Sequence, residues 1–217
     1  TARLALEIAL SRSGRELEDL DHVVSTGYGR HYIPFAHTRI TEISCQSRGI
    51  RHLFPAVRTI IDIGGQDTKA IYLDPAGNVS DFLMNDKCAA GTGRFLEVIA
   101  SALGIEVEAM GEESLKAREE VSISSTCTVF AESEVIGYVA RGVAVADIIA
   151  GVHRSIVRRI LGMAKRKKVI PEIAVTGGVA KNRGVVTLIK EELGCEVVVP
   201  EEPQITGALG AALWALA

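Results

Sequence analysis

Apolar residues along this chain follow two different spacings, and each spacing predicts a different kind of element. Short runs rich in β-branched residues predict strands, because their side chains fit a pleated, partly buried surface. Apolar residues that recur every three or four positions predict helices. The predicted strands are residues 22–27, 59–63, 69–73, 79–84, 172–176 and 196–199. The predicted helices are residues 1–13, 40–54, 94–103, 108–119, 128–141, 145–167, 188–193 and 206–217.

The order of these elements predicts the architecture. Three strands follow one another between residues 59 and 84, separated by Gly64-Gly65 and by the turn at 74–78. Short Gly-rich connections of this kind join antiparallel neighbours, so we expect a β-meander. Helices and strands then alternate to the end of the chain. This pattern is typical of a mixed α/β fold in which helices cover a sheet.

Composition and charge exclude several classes of protein. The 217 residues carry a formal net charge of -3, which argues against nucleic acid as the main partner. No apolar run is long enough to span a bilayer. The first ten residues mix acidic and basic side chains at helical spacing, unlike a signal peptide, so we expect a cytoplasmic protein. Because the sequence does not begin with Met, we also expect it to start partway through a longer protein.

The first candidate site is the segment Asp62-Ile63-Gly64-Gly65-Gln66-Asp67-Thr68-Lys69, which joins two predicted strands. Two adjacent glycines let backbone N–H groups approach an anion that side chains would otherwise block. A carboxylate at the end of the first strand, Asp62, suits Mg²⁺ held through water or an attacking water molecule. A plain hairpin turn is the alternative, and Gly-Gly alone would favour it. The full string favours a phosphate site.

The second candidate site is Ala174-Val175-Thr176-Gly177-Gly178-Val179-Ala180-Lys181-Asn182, a predicted strand, Gly-Gly turn and helix start. Its glycines would let an adenine or ribose lie against the backbone, with Asn182 and a helix N-terminus beside it. A strand-to-helix turn that needs positive φ is the alternative. Only the pairing with the earlier loop, in this order, makes the nucleoside interpretation specific.

Together these two loops resemble the second phosphate motif and the adenosine motif of the actin, sugar-kinase and Hsp70 superfamily. The linker Lys87-Cys88-Ala89-Ala90-Gly91-Thr92-Gly93-Arg94-Phe95-Leu96-Glu97 narrows the resemblance. It is similar to the BadF/BadG/BcrA/BcrD-type ATPase family, which comprises benzoyl-CoA reductase ATPase subunits and 2-hydroxyacyl-CoA dehydratase activators. The match runs from about residue 21 to residue 217.

The resemblance implies an actin-like, ribonuclease H-like α/β ATPase fold with two subdomains. We assign residues 1–55 to a partial N-terminal subdomain and residues 56–217 to the second one, which carries both nucleotide loops. The superfamily begins with a phosphate loop of the Asp-x-Gly-Ser type, and nothing in this sequence matches it. We therefore expect ATP hydrolysis of the longer protein rather than of this stretch by itself.

The resemblance also implies a metal centre at two of the four cysteines. In the family, the cysteines that match Cys88 and Cys127 are the ligands of a [4Fe-4S] cluster. Two thiolates cannot hold four irons, but two chains around a two-fold axis supply four. Each cysteine also precedes a predicted helix, whose N-terminal N–H groups suit an anionic cluster. We expect structural roles for Cys45 and Cys195.

The function implied is an ATP-driven, oxygen-sensitive activator or subunit that passes low-potential electrons to a CoA-thioester reductase or dehydratase. Its implied cofactors are ATP, Mg²⁺ and the shared cluster. Its implied partners are an identical or paralogous subunit, the CoA-thioester enzyme, and ferredoxin or flavodoxin as electron donor. The catalytic candidates are Asp62 and Gln66. The cofactor-binding candidates are Gly64, Gly65, Asp67, Lys69, Gly91, Thr92, Gly93, Glu97, Gly177, Gly178, Asn182 and Gln204.

Two other functions remain open on the sequence alone. A small-molecule kinase of the same superfamily would need an acceptor pocket and would gain nothing from Cys88 and Cys127. A non-catalytic assembly or sensor module on the same scaffold would bind no nucleotide. Basic residues between 154 and 168 are expected to form a solvated helix face, with a docking patch for an acidic partner as the alternative.

Overall fold

A computed structural model describes residues 2–119, 121–124 and 127–217, and its elements largely follow the predicted order. The strands are β1 (Val24–Ser25), β2 (Thr38–Arg39), β3 (Thr59–Ile63), β4 (Thr68–Leu73), β5 (Val79–Asn85), β6 (Ile173–Thr176) and β7 (Val197–Val198). The helices are α1 (Ala2–Ser13), α2 (Glu42–Leu53), α3 (Gly93–Leu103), α4 (Met110–Ser114), α5 (Thr128–Ala140), α6 (Val145–Ala164), α7 (Arg183–Leu193) and α8 (Thr206–Ala215). Short 3-10 helices lie at Leu17–Asp19, Tyr28–Tyr32, Val107–Ala109 and Gly178–Lys181.

The central layer is a five-stranded mixed sheet in the order β5-β4-β3-β6-β7. Strands β3, β4 and β5 form the predicted antiparallel meander. Strand β6 pairs with β3 in parallel, and Asp62 lies opposite Thr176 in the register. Because parallel strands end at the same edge of a sheet, the loops that follow β3 and β6 lie side by side. This pairing brings the two Gly-Gly segments together although more than one hundred residues separate them.

Helices cover both faces of the sheet, as the alternation of side chains along its strands requires. On one face, Ile61 and Val175 belong to the larger core, which also contains buried residues of α3, α5, α6 and α7. On the other face, Ile60 and Ala174 belong to a smaller core that includes Ile50 of α2. Both faces of the inner strands β3, β4 and β6 are therefore buried, which is why these strands are largely apolar in sequence, whereas the edge strand β5 is partly exposed.

The close crossing of α2 and α8 depends on two glycines. A Cβ atom on Gly49 would clash with the carbonyl oxygen of Thr206, and one on Gly210 would clash with the carbonyl oxygen of Cys45. Helix α2, which we assigned to the 1–55 subdomain, thus packs on α8 and on β4 and β5 of the central sheet. Cys45 is completely buried in this crossing, as expected of a structural cysteine.

Several boundaries differ from the predictions. The polar helix expected over 108–119 is a 3-10 turn followed by the short α4, because the buried Met110 and Ser114 anchor that turn while the residues after it form turns. Helix α7 begins at residue 183 rather than 188, since the side chain of Asn182 caps it. Helix α1 has no fully buried residue, and only Leu6 and Leu10 on one of its sides are half-buried. Across the described residues, we find no helix with the length and apolar character needed to cross a membrane.

Candidate functional site

The phosphate-loop candidate is fixed at the start of α3. The N–H of Gly64 donates to the carbonyl of Asp67 (2.9 Å), which closes the turn between β3 and β4. The N–H groups of Gly93 and Arg94 donate to the carbonyls of Gly64 and Gly65, each at 2.8 Å. The first N–H groups of a helix have no partner within the helix, and here the loop supplies partners for two of them. Any displacement of this loop therefore acts directly on α3.

The second Gly-Gly loop needs its first glycine. Gly177 has φ of 85°, and a Cβ atom there would clash with the backbone of Ile63 at the end of β3. Its N–H donates to the carbonyl of Pro203 (2.9 Å), which brings the segment before α8 against the loop. Only glycine combines a positive φ with such close contact to another backbone, so the nucleoside-loop candidate packs directly against the end of β3, next to the phosphate-loop candidate.

The two loops and α3 enclose a cleft of about 440 Å³, a size typical of small-molecule sites. Predicted cofactor-binding residues supply much of its wall: Gly64, Gly65, Gly93, Glu97, Gly178, Asn182 and Gln204. The wall also contains residues that no sequence motif had singled out as ligand-binding: Leu96, Val107, Glu108, Val179 and Lys181. The 3-10 turn that carries Val107 and Glu108 lies far from both motifs in sequence, and no local signal pointed to it.

The side chain of Asn182 makes hydrogen bonds mainly to other residues of the protein. Its Oδ1 accepts from the N–H of Val185 (3.0 Å) and caps α7, while its Nδ2 lies 3.1 Å from Nε2 of His153. His153 is completely buried on α6, and burial lowers its pKa to about 4. The ring is therefore neutral near pH 7, and its Nε2 accepts the hydrogen bond from Asn182. This pair sets the orientation of the residue at the cleft wall.

Asp62 lies at the end of β3 behind the phosphate-loop candidate. Its Oδ1 accepts from Oγ1 of Thr176 (2.8 Å) and from Nε2 of Gln46 (3.0 Å). Gln46 in turn accepts from Oγ1 of Thr206 (2.9 Å), so the network joins α2, β3, β6 and α8. Burial raises the pKa of Asp62, and Lys69 and Thr176 oppose that shift. Gln46, Thr176 and Thr206 were not among the predicted residues, although a Gln facing the core of an amphipathic helix was a signal.

Lys69, expected at the phosphates, is buried among carboxylates. Its Nζ lies 2.6 Å from Oδ1 of Asp67, 3.2 Å from Oε1 of Glu42 and 3.6 Å from Oδ2 of Asp62. Burial alone would lower the pKa of Lys69, but the three carboxylates outweigh it and raise the pKa. Gln66, the other catalytic candidate, is exposed at the tip of the same turn.

Hydrogen bonds from polar side chains to main-chain carbonyls hold the segment that contains Cys88, between β5 and α3. Nδ2 of Asn85 donates to the carbonyls of Cys88 (2.9 Å) and Ala90 (3.1 Å). The hydroxyl of Thr92 donates to the carbonyl of Ala89 (2.7 Å), and that of Thr68 donates to the carbonyl of Gly91. Thr92 and Gly91 thus support this segment rather than line the cleft. Cys88 itself is a partly exposed free thiol.

Cys127 is the residue that begins α5, and its free thiol is exposed. Its carbonyl accepts from the N–H of Ala131 (2.9 Å), and the carboxylate of Glu134 accepts from the N–H and the hydroxyl of Ser124 (3.1 and 2.9 Å). Residues 125 and 126, which precede Cys127, lie outside the described residues. Within the described part of the chain, no three His, Cys, Asp or Glu side chains are placed to hold a metal ion.

Helix α5 also exposes an apolar face beside Cys127. It packs against α3 and buries Ala131 and Val135 in the larger core. Its other side leaves Val129 and Phe130 about two-thirds exposed, at 65% and 67%. Further along, Ile136 and Val139 are also exposed, and we call these four residues the α5 patch. Several exposed apolar side chains on one helix are typical of an interaction surface.

A basic surface adjoins the segment that contains Cys88. Two neighbouring cavities of about 560 and 460 Å³ share Gly91, Arg158 and Arg159. Arg154 lines the first cavity and Arg166 the second, and we call these four arginines the arginine groove. The described residues that line it include no Asp or Glu, but Arg154 forms an ion pair with Glu192 (Nη1 to Oε1, 3.4 Å).

A mixed sheet with two glycine loops meeting at one edge, and helices on both faces, defines an α/β protein with the actin-like ATPase fold. The chain belongs to the BadF/BadG/BcrA/BcrD ATPase family, whose model matches residues 1–215. The family resemblance and the fold class expected from the sequence are both confirmed. The boundary between subdomains at residue 55 and the roles of the individual site residues stay predictions.

Three known proteins illustrate the similarity. The activator of lactoyl-CoA dehydratase from Anaerotignum propionicum is 52% identical, over 97% of this chain and 82% of the relative. The solved activator of the 2-hydroxyisocaproyl-CoA dehydratase from Clostridium difficile, with bound ADPNP, is 49% identical, with a TM-score of 0.94 over 97% of this chain and 78% of that chain. A benzoyl-CoA reductase subunit from Thauera aromatica is 33% identical, over 94% of this chain and 74% of the relative.

Proposed function

We propose that this protein is an ATP-hydrolysing activator that drives low-potential electrons into a CoA-thioester enzyme through a [4Fe-4S] cluster shared by two subunits. One observation carries the proposal. The start of α3 is hydrogen-bonded to the phosphate-loop candidate, and the same helix packs on α5, which begins at Cys127. The candidate nucleotide site is therefore connected to a candidate cluster ligand through two helices, α3 and α5, that pack against each other.

The cleft fits a nucleoside triphosphate. Gly64, Gly65 and Gly93 keep side chains out of the space where phosphates would lie, and a nucleoside would rest against Gly178 and Gln204. The solved activator from Clostridium difficile, whose backbone matches this chain at a TM-score of 0.94, contains bound ADPNP, an analogue of ATP. Bound Mg²⁺ would supply positive charge to the phosphates. The catalytic candidates Asp62 and Gln66 do not line the cleft itself, and we propose that they act from beside it on the water ligands of Mg²⁺ or on the attacking water.

The cysteines fit half of a cluster site. A four-iron cluster needs about four thiolates, and this chain offers the exposed Cys127 and the partly exposed Cys88. A second chain related by a two-fold axis would supply the other pair. The α5 patch lies on the helix that begins at Cys127 and is the surface we assign to that contact. When bound, the cluster supplies one-electron transfer at low potential.

The coupling would be mechanical. The γ-phosphate makes contacts that ADP lacks, so the two nucleotides favour different positions of the phosphate loop. Because Gly93 and Arg94 are bonded to that loop, α3 would follow it. Helix α5 packs on α3 and would change the surroundings of Cys127. Solvent exposure and hydrogen bonding at thiolates set the reduction potential of a cluster.

The proposed partners rest on the relatives and on surface charge. The activators of 2-hydroxyacyl-CoA dehydratases are more similar to this chain than the benzoyl-CoA reductase relative, at 52% and 49% against 33% identity. We therefore propose a 2-hydroxyacyl-CoA dehydratase as the acceptor. The arginine groove beside the Cys88 segment is suited to an electron donor with an acidic surface, and we propose that a ferredoxin or flavodoxin binds there.

Substitution of each cysteine tests the proposal. In full-length protein purified without oxygen, Cys127→Ala and Cys88→Ala should each lose the brown colour and nearly all of the iron. Cys195→Ala is the matched control, and this variant should keep its iron because Cys195 packs at the edge of the core. Iron at about four per dimer in either of the first two variants would show that the ligand assignment is wrong. Phosphorylated product without any iron would favour the kinase alternative instead.

A further inference from the structure

Lys69 sits in an environment that differs from that of a phosphate-binding lysine. It lies on β4 directly opposite Asp62 of β3, and its side chain is only 5% exposed. Lysine is almost never buried unless its charge is paired. Here three carboxylates surround it: Asp67 from the loop, Asp62 from the strand end and Glu42 from the first turn of α2.

The charge of the ammonium group is already paired in this arrangement. Three carboxylate oxygens lie within 4 Å of Nζ, one as a hydrogen-bond acceptor and two as ion-pair partners at 3.2 and 3.6 Å. The closest contact, 2.6 Å to Asp67, is a short charge-assisted hydrogen bond. A phosphate oxygen would have to displace one of these partners. Doing so would leave a carboxylate behind the phosphate loop without its counter-ion, which is costly in a buried site.

The same contacts hold the groups that lie behind the phosphate loop. Asp62 has its Oδ1 occupied by Thr176 and Gln46, and its Oδ2 faces Lys69. The main-chain carbonyl of Asp67 accepts from the N–H of Gly64, while its side chain binds Lys69. The position of the Gly64 backbone therefore depends on an anchor that the lysine supplies. Glu42 connects that anchor to α2.

We propose that Lys69 is a positioning residue for ATP hydrolysis, which holds Asp62 and Asp67 in place and ties the phosphate loop to α2 without touching the nucleotide. This inference rests on the proposed ATPase function of the cleft. It assigns to Lys69 a role different from the direct phosphate contact that the sequence suggested. It also adds Glu42, which no motif had singled out, to the residues that matter for turnover.

Steady-state kinetics and nucleotide affinity separate the two roles. For Lys69→Met in the full-length protein, a positioning role predicts that kcat falls about 10- to 100-fold while the Kd values for ATP and ADP change less than about threefold. A direct phosphate contact predicts the opposite split, with ATP affinity reduced about tenfold or more. Lys69→Arg, which keeps the charge, should recover part of kcat.

Glu42→Gln supplies a second test that leaves the lysine in place. It removes one of three negative charges, so kcat should fall about two- to fivefold with unchanged nucleotide affinity. If Lys69→Met does not fold, this variant and Lys69→Arg decide the question. Unchanged kcat in all three would overturn the inference while wild-type ATP hydrolysis still stood. Absence of hydrolysis in the wild type would instead overturn the proposed function.

Discussion

The nucleotide cleft and the cysteine segments differ in how complete they are within one chain. Behind the cleft, Lys69 and Gln46 are buried, and both contact the carboxylate of Asp62. At the cysteine segments, by contrast, Cys127 is exposed and the α5 patch beside it faces solvent. A buried, satisfied polar network indicates a site that one chain can build alone. An exposed thiol beside exposed apolar side chains fits the proposed site that a second chain would complete.

The largest expected effect comes from Gly177, which holds the two cleft loops together. Gly177→Ala should reduce nucleotide affinity at least about 100-fold, because the new Cβ would push the loop away from Ile63 and strain a positive φ. Isothermal titration with ATP measures this. Gly194→Ala is the matched control: it also has positive φ, but no atom lies within 4 Å of its added Cβ. Equal losses in both variants would contradict the packing argument.

The next effect concerns the cysteine side of the comparison. Phe130→Asp should weaken dimerisation by about 30-fold, because it places a charge in the α5 patch. Sedimentation velocity of the anaerobic protein measures the dimer, and the iron content should fall with it. Leu115→Asp is the control, since that exposed leucine lies outside the patch. A dimer that tolerates the Phe130 change but is weakened by the control would place the contact elsewhere.

A smaller effect is the dependence of folding stability on pH that the buried His153, behind the cleft wall, produces. Its pKa is about 4 in the folded protein, below the usual 6.5 of an unfolded histidine. The unfolded state therefore binds a proton first, and stability is lost as pH falls from about 6.5 towards 4, by about 1.4 kcal/mol per pH unit. Urea unfolding at several pH values measures the slope. His153→Gln should flatten it in that window, and an unchanged slope would assign the pH dependence to other groups.

The smallest effect is expected at the arginine groove. The double change Arg158→Glu and Arg166→Glu should slow reduction by a low-potential flavodoxin about fivefold at low salt, with the difference vanishing at high salt. Stopped-flow absorbance measures the rate, and iron content and ATP affinity should be unchanged. Lys116→Glu, an exposed charge outside the groove, is the control. Equal rates for wild type and variant at low salt would exclude this surface as the donor site.

The fold was predictable because its signals are local. One β-branched run at 59–63 and two further apolar runs, separated by glycine or an Asp-Pro turn, indicated the meander, and α2, α3 and α6 followed their apolar spacing. Boundaries failed where tertiary contacts decide them. Residues 115–119 do not continue α4, and α7 starts early because Asn182 caps it.

The candidate site was only partly predictable. The Gly-Gly loops were recognisable as motifs, but the parallel pairing of β3 with β6 that joins them spans 114 residues between Asp62 and Thr176. The partners of Asp62 also come from other kinds of element. Gln46 lies on helix α2, and its side-chain oxygen accepts a hydrogen bond from Thr206, which is 160 residues away. No local pattern reveals such a network. The role of Lys69 was likewise hidden, because its carboxylate neighbours come from three different elements.

The most direct test of the shared, nucleotide-sensitive centre is an electron paramagnetic resonance spectrum of the reduced, full-length protein prepared without oxygen, recorded with and without ATP. The account predicts the signal of a reduced four-iron cluster whose line shape or potential changes when ATP is added. Protein that binds ATP but shows no iron signal, or a signal that ignores ATP, would contradict it.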